Sequence, residues 1–143
     1  MNKKNILVAR LLTYSGIFPF LIFGLAVALH LGESYSHLAF FSYAAVIISF
    51  ICGIHWATCL FFPDRELSNL LLQTNLITLL AWLSIFLGQH KLSLGLQCFC
   101  FIYLLVLDGY LYRQGVLPPW YFNLRLRISA LVISLLIIGG VFL

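Results

Sequence analysis

The sequence has few charged residues. Asp, Glu, Lys and Arg together make up 8% of its 143 residues, while hydrophobic residues make up 63%. Soluble domains carry about 25% charged residues, so this chain lacks the polar side chains that a water-exposed surface needs. The composition therefore excludes a soluble globular protein and predicts an integral membrane protein.

Motifs of soluble enzymes are also missing. The sequence contains no P-loop, no glycine-rich dinucleotide turn, and neither a G-x-S-x-G nor an H-E-x-x-H pattern. We therefore favour a protein that is not an enzyme. A membrane enzyme that acts on a lipid or quinone with His55 as base stays open, although the sequence offers no second obvious catalytic group.

Metal-binding patterns are weak as well. Met1 is the only methionine, so the thioether ligands common in copper sites are missing. Cys52, His55 and Cys59 fall on one side of a helix, but three ligands on one straight helix converge poorly on a tetrahedral ion. Cysteines in apolar segments are more typical of packing. We predict no metal and no cofactor, and we keep this set as the weaker alternative.

Five segments are long and apolar enough to cross a membrane, which takes about 20 residues each. The predicted spans are residues 8–31, 38–62, 67–88, 92–112 and 122–143. They leave almost nothing for a soluble region, so we predict one domain over residues 1–143, an all-α bundle of five transmembrane helices. The first span is expected to stay uncleaved, because its apolar stretch is too long for a usual signal peptide.

The positive charges predict the orientation of the bundle. With the N-terminus in the cytoplasm, seven of the 8 Lys and Arg residues lie near inner span ends and one lies near an outer end. The inner residues are Lys3, Lys4, Arg10, Arg65, Arg113, Arg125 and Arg127, and the outer one is Lys91. The C-terminus is then outside. The net charge of +4 is therefore a topology signal, and we expect no nucleic-acid partner.

Small residues and prolines predict how the spans pack. A strip of small residues in span 2 favours close helix contact, and because His55 lies about 140° away, we expect this span to be buried on both faces. The strip is Ala45, Ser49, Gly53 and Ala57. Gly16 and Pro19 predict a kink in span 1. Pro119, Trp120 and Tyr121 predict an elbow at head-group height before span 5.

Polar residues share a depth near the inner span ends. His55 lies about 10 Å, Asp108 about 6 Å and Arg125 about 5 Å from those ends. An ionised carboxylate in hydrocarbon costs several kcal/mol, so Asp108 needs a partner, and Arg125 is the predicted one. His55 is expected to be the third member. Gln73, Asn75 and Trp56 complete the predicted cluster.

Two interpretations of this cluster stay open. It is either a structural set of polar contacts that fixes the register of the helices, or a cavity open to the cytoplasm. Such a cavity would relay protons or bind an anionic or polar group.

Four stretches of the sequence resemble a known family of small five-span membrane proteins. They are "SYAAVIISFICGIHWA", "LLAW", "LDGY" and "LPPWYFNLRLRISALV". The family is catalogued as domain of unknown function 3429 and includes mitochondrial proteins of the transmembrane protein 69 type. Its most specific positions correspond to Gly53, His55, Trp56, Asp108, Pro119, Trp120, Tyr121, Leu124 and Arg125. The resemblance implies five spans and, from the family's presence in bacteria and mitochondria, an energy-converting inner membrane.

We predict a multi-pass protein of the bacterial inner membrane. Its small size and lack of a soluble domain favour a non-enzymatic accessory or assembly subunit that packs against larger membrane partners. The alternative is a small proton-coupled carrier, or a protein that binds a polar ligand, using the His55, Asp108 and Arg125 cluster. Five spans are few for a carrier, so that alternative requires dimerisation. The expected partners are the lipid bilayer and a larger membrane complex or a second copy.

Overall fold

The computed structural model describes residues 2–62, 68–87 and 90–141, and in that part of the chain the secondary structure is helical. The helices are α1 (Lys3–Ser15), α2 (Phe18–Ala28), α3 (Glu33–Phe61), α4 (Ser68–Phe86), α5 (His90–Arg113) and α6 (Pro119–Val141). Because α1 and α2 together form one span, the described residues contain 5 helical segments long and apolar enough to cross a membrane. The prediction of a five-span all-α bundle is confirmed.

Several span boundaries differ from the predicted ones. α3 begins at Glu33 rather than at residue 38, and α6 begins at Pro119 rather than at residue 122. A proline at the first helical position is favourable, because its missing N–H has no partner there in any case and its φ already suits a helix. The described residues do not include Arg65 or the predicted span ends at residues 67, 88 and 143.

The first span is broken as predicted. α1 ends with Gly16 as its C-cap, and Pro19 lies in the first turn of α2. The hydroxyl of Tyr43 on α3 donates a hydrogen bond of 2.8 Å to the carbonyl of Gly16. This bond satisfies a carbonyl that the break removes from the helical pattern, and it fixes the break against α3.

The core lies between α2, α3, α4, α5 and α6. α3 packs against α2, α4 and α5, while α6 packs against α2 and α5. Phe20 and Phe40 meet edge to face with ring centroids 6.0 Å apart, and Phe101, Leu104 and Leu136 are fully buried beside them. α1 has no buried residue, and its one substantial helix contact among the described residues is with α6. The first half of span 1 is therefore the most peripheral part of the bundle.

The small-residue strip on α3 does not pack as predicted. Ala45 is buried, but Ser49 and Gly53 are exposed and Ala57 is half-buried. A Cβ atom added at Gly53 would meet nothing within 4 Å. The expectation that α3 is buried on both faces is wrong, because its neighbouring helices all pack on the other side. Small residues permit close helix contact, but they do not specify which helix makes it.

Polar contacts join α3, α4 and α5 toward the end of the bundle at which α5 begins. The side-chain amide of Gln97 on α5 donates to the Phe41 carbonyl at 2.8 Å and to the Ser84 hydroxyl at 3.0 Å. Gln97 and Ser84 are both fully buried. Interhelical hydrogen bonds of this kind hold helices together where lipid provides no hydrophobic driving force between them.

The connection from α5 to α6 reverses the chain within five residues. Gly115 adopts a left-handed φ of 70°, and the Val116 N–H donates to the Leu111 carbonyl at 3.0 Å. This is a glycine-based helix C-cap. Just beyond it, the rings of Tyr112 and Phe122 stack with centroids 4.8 Å apart. The turn therefore places the end of α5 directly beside the start of α6.

Candidate functional site

A buried carboxylate joins three helices. Asp108 on α5 accepts a hydrogen bond from Arg125 Nε on α6, at 2.8 Å to Oδ2. The other carboxylate oxygen, Oδ1, lies 3.1 Å from His55 Nε2 on α3. Asp108 and His55 are each 1% exposed and Arg125 is 6% exposed. We call these three side chains the triad.

The triad lies well inside the bundle, near one end of it. At 1.5 Å per residue, His55 is about 9 Å from the end of α3, Asp108 about 7.5 Å from the end of α5 and Arg125 about 9 Å from the start of α6. α1 also begins at this end. We call it the basic end, because it carries Lys3, Lys4, Arg10, Arg113 and Arg127. Arg125 lies deeper than the depth of about 5 Å that the sequence predicts, because α6 begins at Pro119 rather than at residue 122.

His55 is held from both ring nitrogens. Nδ1 lies 2.9 Å from the Ile51 carbonyl oxygen one turn earlier on α3. A carbonyl oxygen only accepts, so Nδ1 carries a proton in this arrangement. Nε2 faces Asp108 at ion-pair distance but is not aligned for a hydrogen bond. The contact with Asp108 is therefore electrostatic rather than directional.

A cavity of about 420 Å³ lies beside the triad. It is enclosed by the break between α1 and α2, by α3 and by α6, and most of its wall is apolar, including Phe20, Ile51 and Ile128. Three lining residues have a polar side chain, and they are Thr13, Tyr121 and Arg125. A volume of this size falls within the range of about 300–1,000 Å³ that is usual for small-ligand sites.

Two buried donors at this cavity have no partner. Among the residues that the structure describes, neither Arg125 Nη2 nor the Tyr121 hydroxyl makes a hydrogen bond, although both atoms are buried. Buried polar atoms are nearly always paired, and an unpaired one costs about 1–3 kcal/mol. Both residues line the cavity. The two unpaired donors therefore belong to residues of the cavity wall.

The comparison with protein families agrees with the sequence pattern. The model of one family, described as protein of unknown function (DUF3429), matches residues 7–141. The chain belongs to the DUF3429 family. No curated protein and no solved structure matches it. In this DUF3429 protein the matched region contains the whole triad and every residue of the cavity wall.

The structure does not bring the other predicted polar residues to the triad. On α4, Gln73 is half-buried and Asn75 is exposed, and neither bonds to the triad among the described residues. Thr74, which lies between them, faces the interior and returns its hydroxyl to the Leu70 carbonyl at 2.8 Å. Trp56 is 38% exposed. These residues of the DUF3429 protein lie at the same depth as the triad, but among the described residues they make no bond to it.

The weaker metal alternative is not assembled. Within the described ranges 2–62, 68–87 and 90–141, no group of three or more His, Cys, Asp and Glu side chains is placed to hold a metal ion. Both ring nitrogens of His55 are directed at Ile51 and Asp108 rather than at Cys52 or Cys59. Cys52 is buried and Cys59 is half-buried on α3.

The predicted elbow has a different place in the fold. Pro119, Trp120 and Tyr121 form the first turn of α6 instead of preceding it. Trp120 packs against the core, and Tyr121 lines the cavity. Sequence reasoning did not assign Tyr121 to the polar cluster. Its spacing from Arg125 was the available signal, because residues four apart share one face of a helix.

Proposed function

We propose that this DUF3429 protein is a non-enzymatic membrane protein that binds a polar-headed ligand at the triad. The observation that carries the proposal is Arg125 Nη2, a buried charged donor without a described partner in the wall of a 420 Å³ cavity. The ligand would place an acceptor oxygen against this atom and against the Tyr121 hydroxyl.

The contacts within the triad orient Arg125 for ligand binding. Asp108 engages Nε and so holds the guanidinium in one orientation, which leaves a terminal nitrogen free for a ligand. A planar guanidinium presents its donors in a fixed fork, so little conformational freedom is lost when a ligand binds. Hydrogen bonds that involve a charged group contribute about 1.5–3 kcal/mol, roughly twice a neutral one.

A role as an accessory or assembly subunit is the second candidate, and a different observation favours it. α1 has no buried residue, and Ser49 and Gly53 on α3 are exposed with open space above Gly53. A helix of a larger membrane partner would find close backbone contact there. We place this protein in the bacterial inner membrane with the basic end in the cytoplasm, in accordance with its positive charges.

The first test is to purify the protein from membranes in a mild detergent and identify bound molecules by native mass spectrometry. We expect a bound molecule in the wild type, less of it after Tyr121→Phe, and least after Arg125→Lys. Arg127→Lys is the matched control, since Arg127 is exposed two residues further along α6. Equal occupancy in all four proteins would contradict a site at Arg125.

The same preparations test the accessory role. A larger membrane protein should co-purify in fixed ratio and should be lost after Gly53→Leu. A partner-free wild-type protein would count against that candidate while leaving the ligand measurement intact.

A further inference from the structure

The chemistry of the cavity indicates one class of ligand. We infer that the site holds an anionic amphiphile with one hydrocarbon tail, as in a fatty acid, and this inference rests on the ligand-binding function proposed above. The acidic head group accepts hydrogen bonds from Arg125 Nη2 and the Tyr121 hydroxyl. The tail lies along the apolar wall between α1, α3 and α6.

Arg125 supplies the charged donor of the site, because a guanidinium stays protonated in proteins. Asp108 accepts a hydrogen bond from its Nε at 2.8 Å, while Nη2 is buried without a described partner. His55 faces the other carboxylate oxygen, with Nε2 3.1 Å from Oδ1. The donor left for a ligand is therefore the charged Nη2.

The charged donor favours an acidic head group. Hydrogen bonds from a guanidinium to a carboxylate or a phosphate are roughly twice as strong as neutral ones. An acidic head group therefore binds the unpaired Arg125 Nη2 more strongly than a neutral head group does.

The shape of the cavity fits one tail. Along α6 its lining runs from Tyr121 to Val132, which corresponds to about 16 Å. Spread over that length, 420 Å³ gives a mean cross-section of about 25 Å². One hydrocarbon chain occupies on the order of 20 Å², given carbon contact distances of about 4 Å. The cavity therefore has room for one chain along α6.

The position of the rim favours entry from the membrane. Leu12 on α1 and Phe50 on α3 both line the cavity, and they are 66% and 68% exposed. Both point outward from the side of the bundle, where hydrocarbon surrounds a membrane protein. A water-soluble ligand would have to cross that apolar rim, whereas an amphiphile already lies beside it.

Titration of the full chain in detergent tests the ligand class. The probes are palmitate, methyl palmitate, butyrate, a monoacyl phosphatidate and a diacyl phosphatidate, with binding followed by native mass spectrometry. Palmitate should bind at least about tenfold more tightly than its methyl ester, since a carboxylate accepts a stronger hydrogen bond from a guanidinium than an ester carbonyl does. A monoacyl phosphatidate that binds as tightly as palmitate supports the same chemistry, an acidic head with one tail.

Variants locate the binding within the fold. Tyr121→Phe should weaken palmitate binding by about tenfold, because one donor to a charged head group is removed. Thr13→Trp should abolish binding by filling the cavity, since Thr13 lines it. Tyr14→Trp is the matched control, because Tyr14 is 40% exposed and is not part of the lining. Both controls, Tyr14→Trp and Arg127→Lys, should retain wild-type affinity.

The outcomes separate this inference from the proposed function. Equal affinity for palmitate and its ester, lost in Thr13→Trp, would overturn the acidic head group and leave a ligand-binding cavity. Butyrate binding as tightly as palmitate would overturn the tail, and tighter binding of the diacyl lipid would overturn the single chain. Failure of all probes would overturn the inference, and the proposed function falls with it only if the purified protein also carries no Arg125-dependent molecule.

Discussion

Arg125 donates to Asp108 at 2.8 Å across 17 residues of sequence, and this ion pair joins α5 and α6 inside the bundle. The pair is almost completely buried. The Gly115 turn and the stacked rings of Tyr112 and Phe122 bring the two helices into register for it. The pair thus depends on the α5–α6 connection as well as on its own charges.

Loss of one member of this pair should destabilise the protein strongly. We expect Asp108→Leu to lower the free energy of unfolding by about 3–5 kcal/mol, because it leaves the Arg125 charge buried without its carboxylate. Combining Asp108→Leu with Arg125→Met should restore most of the loss, since no unpaired charge remains. The measurement is unfolding in mixed micelles.

Asn123→Leu provides the control for this experiment, because Asn123 is exposed on the same turn of α6. Exposed substitutions usually change stability by no more than about 0.5 kcal/mol. A double variant that is no more stable than Asp108→Leu would show that the pair does not act as a unit.

Gln97 should affect stability without affecting the ligand site. Gln97→Leu removes the two hydrogen bonds to Phe41 and Ser84, and we expect a loss of about 1 kcal/mol, as for other hydrogen bonds between membrane helices. Gln97 lies about 16 Å along α5 from Asp108. The affinity for palmitate should therefore match the wild type, and a large change in it would link the two polar layers.

Two glycines should respond in opposite ways to alanine. Gly53→Ala should stabilise the protein by up to about 1 kcal/mol, because a Cβ there meets nothing and alanine favours the helix. Gly139→Ala should destabilise it by about 1–3 kcal/mol through overpacking. The new Cβ would lie 3.0 Å from the Phe40 ring, which is held by Phe20. Thermal unfolding of both variants in one detergent checks the contrast, and a shift of the same sign in both would contradict it.

The orientation of the bundle can be measured with single cysteines. In a variant whose four cysteines are replaced by alanine, Asn2→Cys should react with an impermeant maleimide only from the cytoplasmic side. Tyr35→Cys, at a position 82% exposed near the start of α3, should react only from outside. This pattern follows from the concentration of positive charge at the basic end. The reverse labelling would overturn the predicted topology.

The depth of a residue along its helix could be predicted from the sequence, whereas the neighbour that its side chain faces could not. The rise per residue is fixed, so the sequence predicts that His55, Asp108 and Arg125 share a layer, and in the structure Asp108 contacts the other two. Gln73 and Asn75 share that depth too, but α4 turns Thr74 and Ile77 inward instead. The same limit applies to the α3 strip, whose spacing indicates a packing face but not a partner. Tyr121 shows the reverse case, since a residue predicted to lie at the membrane interface lines the cavity.

The five membrane-crossing segments follow from the order of residues alone. In lipid every backbone polar group must be satisfied within its own segment, so each long apolar stretch has to be a helix. Which faces of those helices meet depends on the packed bundle. Side-chain packing and the connections between helices set the rotation of each helix about its axis, and that rotation places Asp108 between His55 and Arg125 and opens the cavity beside them.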